Sequence, residues 1–260
     1  MDQGNKNEIF SSPSNFGLVN QLIDDRKNFL DLVQHNLLNY NCNLELKSSI
    51  FSVHALLFIL KDFSADIFNT ENDLNELALA RIKAIESIID ALMGHEINCN
   101  IKQRFFLDVY IRLFYEHVNI QNHSENAGFS QRIDQMTKYC CATLGNNSKN
   151  ILNKQRDSSK KHYWFLSDTL HGRKLITTNQ SLSDDLQSIF SSNRFTTNIP
   201  KTYHFLENIS KSCEIILNWL FIVSHFIPTS HLSIYKVSIY IDMLKRICSF
   251  EPLLIYPNDN

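Results

Sequence analysis

The chain has 260 residues, 43% of them hydrophobic and 20% charged, which is ample material for a large core and excludes disorder over most of its length. It holds 28 Asn and 28 Ile but only 8 Ala, 6 Gly and 5 Pro, too few turn formers for many short strands or for the Gly-rich loops that cradle phosphates and dinucleotides. The formal net charge of −2 excludes a global bias toward nucleic acid or an acidic membrane, but residues 1–148 sum to −6, residues 149–174 to +5 and the remainder to −1.

A polar tail over residues 1–12 is expected to be disordered. Pro13 and Ser14 then offer a helix start, and Phe16, Val19, Leu22, Ile23, Phe29, Leu30 and Val33 recur at helical spacing, which predicts a helix over 14–39. The Asn-rich break at 39–43 precedes a second apolar-striped segment from Leu46 to Phe68. Thr70 can cap a third helix, Glu71 and Asp73 favour the dipole in its first turn, and Gly94 suits a left-handed terminus. A fourth helix over 101–120 carries the bulky face Phe105, Phe106, Val109, Tyr110, Leu113 and Phe114. The fifth, over 127–144, stops at Gly145.

From Lys149 to Thr197 the apolar pattern weakens to short clusters, at Tyr163 to Leu166 and at Leu182 to Phe190, which predicts short helices and loops. Pro200 opens a long helix through Phe226, Pro228 turns the chain, and a last helix over 231–249 ends before Pro252. These elements predict an all-α fold, a multi-helix bundle or an irregular helical-hairpin array of about 8–10 helices. No internal repeat is present, so residues 13–260 are read as a single all-helical domain, with 146–180 as the candidate seam.

Cys42, Cys99, Cys140, Cys141, Cys213 and Cys248 show no paired spacing and read as reduced thiols. The first residues lack the basic and apolar regions of a secretory signal, and the apolar run from Ile215 to Ile227 is too short and too polar to span a bilayer. A cytoplasmic or host-delivered protein is expected. No metal is expected, because the histidines lack ligand spacing, and no motif implies a cofactor.

Arg112, Glu116 and His117 share one predicted helix, and the Arg-to-His spacing resembles the short motif of the HEPN ribonucleases, all-helical proteins that cut RNA without metal. The resemblance covers six residues and implies that Arg112 would stabilise the phosphorane and His117 would move a proton at the ribose, with Glu116 beside them. Leu113 stands where that family commonly has a polar residue. Asp184-Asp185 is similar to part of the metal motif of terpene synthases, but Ser192 stands at the closing carboxylate, and this pair and Asp24-Asp25 are read as solvated helix-surface carboxylates.

The basic stretch Lys149, Lys154, Arg156, Lys160, Lys161, Arg173 and Lys174 is interleaved with Tyr163, Trp164 and Phe165, the residue types that a partner- or phosphate-binding surface needs. The Asn- and Ile-rich, Ala-poor composition resembles that of AT-rich genomes, intracellular bacteria and large DNA viruses among them. The leading expectation is a protein-interaction or regulatory module, in such a microbe a host-directed effector, acting by contact with a protein partner. The alternatives are the metal-independent ribonuclease, with RNA as substrate, and a binder of anionic lipid headgroups through residues 149–174.

Overall fold

The structure is a computed structural model that describes residues 13–36, 44–118, 126–170, 199–227 and 233–254. Among them lie eight helices and no strand: α1 (Pro13–Asn36), α2 (Leu44–Ile67), α3 (Glu71–Leu92), α4 (Glu96–His117), α5 (Phe129–Leu144), α6 (Asn146–Leu170), α7 (Ile199–Val223) and α8 (Ile234–Ile247). The expected tail over 1–12, the cluster from Leu182 to Phe190, the Asp184-Asp185 pair, Arg173 and Lys174 fall outside the described residues.

The punctuation of α3 follows from its sequence. The Asp73 amide donates to Thr70 Oγ1 at 3.2 Å, satisfying one of the orphan donors of the first turn. At the other end Gly94 takes a φ of +76°, and the His95 amide reaches back to the Asp90 carbonyl at 2.8 Å. The chain reverses there, and α4 begins at Glu96, ahead of the apolar stripe that marked it in the sequence. The two helices form a closely packed antiparallel hairpin.

Two helices make the centre. α4 packs on α3, α5, α6 and α7, and α7 packs on α2, α3, α4 and α6. From Ile215 to Val223 every residue of α7 is buried, Asn218 and Trp219 included, as expected for a helix apolar on all sides. The most hydrophobic run in the sequence is therefore the interior of the bundle, and no helix among the described residues is long and apolar enough to cross a membrane. α1 and α8 lie outermost, each against α2. α8 is held by Tyr240, whose ring stacks on Phe63 at 4.8 Å and whose hydroxyl lies 2.6 Å from a carboxylate oxygen of both Asp62 and Asp66, its one proton shared between them, with Lys236 Nζ also 2.6 Å from Asp66. Cys99, Cys140 and Cys213 are buried free thiols, and burial pushes the first two up to about 12.

The stretch predicted to be short helices and loops is, from Asn146 to Leu170, one continuous helix. Its inward face runs Ser148, Leu152, Gln155, Ser159, His162 and Leu166, a regular alternation of three- and four-residue steps. The period is helical, but four of the six residues are polar, so hydrophobicity does not mark it. Their partners come from elsewhere in the fold. Gln155 Nε2 donates to the Ile215 carbonyl at 3.0 Å, and Asn218 Nδ2 donates to Gln155 Oε1 at 3.3 Å. The Trp219 indole N–H donates to Ser159 Oγ at 2.9 Å, and His162 Nε2 lies 2.8 Å from Ser212 Oγ. Ser212 is in turn 3.4 Å from Gln103 Oε1 of α4. Helix α6 is thus sealed to α4 and α7 by a buried polar seam in which each group answers another.

Candidate functional site

Three places carry candidate chemistry: the α3–α4 hairpin, the outer face of α6, and a groove walled by α1, α2 and α3. On the hairpin, acids of α3 face bases of α4 along its length. Lys102 Nζ lies 2.6 Å from Asp90 and 3.3 Å from Glu86, near one end. Toward the other end Arg112 binds Glu76 through Nη2 and Glu116 through Nη1, the latter at 3.2 Å. His117 Nε2 is 3.0 Å from Asp73 Oδ2, and its ring meets Phe68 edge-on at 5.1 Å. Arg112, Glu116 and His117 do lie on one helix, as read from the sequence. What they face is a set of carboxylates, Glu76 and Asp73, so the guanidinium is held between two acids and the imidazole sits against a third. Both Arg112 and His117 are thus already paired with carboxylates.

The outer face of α6 is different. Lys149, Arg156, Lys160 and Trp164 occupy i, i+7, i+11 and i+15, one row along the helix, while Lys154 and Lys161 lie about a third of a turn further round the outer face, Lys161 one turn before Trp164. Trp164 is half exposed. Lys160 is fixed by Asp134 of α5 at 2.5 Å, and Arg156 by its neighbour Asp157 at 2.9 Å. Lys149, Lys154 and Lys161 are exposed and make no ion pair among the described residues. Beside Trp164, Tyr163 stacks flat on Phe129 at 3.8 Å and receives Arg104 of α4, whose Nε donates to its hydroxyl at 3.0 Å. This sandwich pins α4, α5 and α6 together and sets the Trp164 ring edge-on to Tyr163 at 6.2 Å. On α4, Ile97, Ile101 and Phe105 continue an exposed apolar stripe past Arg104. Arg104 and Asp134 were not singled out in the sequence, because their roles depend on which helices become neighbours.

The groove contains a residue pair that the sequence gave no reason to join. His54 of α2 is nearly buried, and its Nε2 is 2.8 Å from Asp25 Oδ2 of α1. Burial lowers the His54 pKa, although the Asp25 carboxylate works against that shift. Against a carboxylate acceptor Nε2 is the ring nitrogen that carries a proton, and Nδ1 is buried with no hydrogen-bond partner among the described residues. Asp25 is thus an interhelical anchor as well as a surface carboxylate. His54 also packs on Phe29 at 5.0 Å.

No protein-family model, curated protein or solved structure matches the chain.

Proposed function

We propose that the protein is an interaction module that docks an acidic protein surface on the outer face of α6. The observation that carries this reading is that a single helix presents Lys149, Lys154, Arg156, Lys160 and Lys161 on the solvent-facing side that also carries a half-exposed Trp164. An exposed tryptophan on a helix face that also carries lysines and an arginine matches the composition of energetically dominant contact residues, where aromatic anchors and arginines prevail. The charge pattern favours a protein over a membrane or a nucleic acid. Asp134, Asp157 and Asp168 are set among the cations, and Lys160 and Arg156 are already paired. Such a mixed, fixed pattern specifies a complementary protein surface, whereas lipid and phosphate backbones reward a uniform positive field. The ribonuclease reading draws less support, since Glu76, Glu116 and Asp73 surround its two key side chains.

The test is a photoreactive side chain at Trp164 in the full chain, irradiated in extract of the source cells, with and without Lys154→Glu and Lys161→Glu. A discrete protein adduct that weakens with added salt and disappears in the charge-reversed chain is expected. Adducts to RNA or lipid, or a protein adduct indifferent to charge reversal, would refute the proposal.

A further inference from the structure

We infer that the groove between α1, α2 and α3 binds a small amphipathic anion, a carboxylate carried on a short apolar or aromatic chain. The groove encloses about 350 Å³, within the span of small-molecule sites and too little for a protein segment of any length. Phe29, Leu57, Phe58 and Ile85 supply apolar walls, and Lys61 and Arg81 supply positive charge.

The charges are what select the ligand. Arg81 is half-buried on the inner side of this wall, beside Ile85 and across from Asp25 and Lys61. Neither Arg81 nor Lys61 makes an ion pair with a carboxylate among the described residues. A half-buried guanidinium with no carboxylate partner keeps only part of its hydration, and an anion placed in the groove would supply the missing counter-charge. The groove's own carboxylate, Asp25, is turned to His54, which leaves the wall with one net positive charge. Planar, two-pronged recognition by Arg81 suits a carboxylate, and the phenyl rings suit an apolar body.

The same geometry makes this a binding site and not a reactive one. Of the two His54 ring nitrogens, one is engaged by Asp25 and the other is buried, so neither is presented to a ligand as a base.

The inference is independent of the α6 face and is tested by calorimetric titration of the full chain with 4-phenylbutyrate, octanoate and the neutral amide of 4-phenylbutyrate. The acids are expected to bind saturably, about tenfold or more tighter than the amide. Arg81→Gln should weaken the acids by about tenfold and leave the amide unchanged. Ile85→Trp, made at a wall position that is 39% exposed, should abolish binding of all three by filling the groove. Circular dichroism reports whether each variant is folded, and if Arg81→Gln is not, the exposed Lys61→Gln carries the charge test with about a threefold loss. Equal affinity for acid and amide, acid binding that survives Ile85→Trp or the folded charge variant, or no saturable binding up to roughly 10 mM would each overturn it.

Discussion

His162 offers the sharpest test of the buried seam, because its protonation is opposed by the fold. The imidazole is nearly buried on the inner face of α6, 2.8 Å from Ser212 Oγ. Burial lowers its pKa to about 4, the Lys211 cation adds to the effect, and the Asn208 carbonyl offsets part of it. In the unfolded chain the same group titrates near 6.5. The sign follows: above pH 6.5 the ring is neutral in both states and contributes no pH dependence, whereas below 6.5 the unfolded chain takes up a proton that the folded chain refuses. Stability is therefore fully present above pH 6.5 and declines as the pH falls toward 4, at about 1.4 kcal/mol per pH unit, for a total of about 3 kcal/mol. The variant His162→Gln keeps a neutral hydrogen-bonding side chain and removes the titration. Urea unfolding followed by circular dichroism at several pH values between 4.5 and 7.5 should show the parent chain losing stability faster than the variant, the gap closing by about 2–3 kcal/mol as the pH falls. Parallel profiles would mean that His162 titrates normally in the folded state, and the account of the seam as a buried, hydrogen-bonded network that excludes charge would fail.

Two further substitutions probe the ends of the fold. Gly94→Ala places a Cβ on a residue with a φ of +76° but meets no atom within 4 Å, so the loss is confined to backbone strain, about 1 kcal/mol, and should lower the thermal midpoint; an unchanged or raised midpoint would count against the left-handed closure of α3. Tyr240→Phe keeps the ring stacked on Phe63 and deletes the hydroxyl shared between Asp62 and Asp66, which should cost about 2 kcal/mol and release α8 before the rest of the chain in hydrogen exchange. Uniform protection across α8 and α2 in that variant would show that apolar contact alone holds α8.

The scarcity of Gly and Pro, the apolar stripes at helical period, and the caps at Thr70 and Gly94 specify an all-helical fold and mark seven of the eight helices among the described residues without reference to anything distant. That is possible because periodicity, capping and turn chemistry act over a few residues. The eighth, α6, escapes such reading. Its inner face of Ser148, Gln155, Ser159 and His162 becomes an interior only when Gln103, Ser212, Asn218 and Trp219 arrive from helices far along the chain to pair with it. The candidate sites divide the same way. The cations of residues 149–161 and Trp164 are plain in the sequence, yet their alignment beside one another required the stretch to be a single helix. His54 and Asp25 showed no relation at all until α1 was laid against α2. Local sequence fixes which segments coil and which charges they carry; whether a polar side chain is solvated, paired or sealed inside is decided by what the folded chain sets opposite it, since desolvation and hydrogen bonding are properties of a neighbourhood and not of a residue.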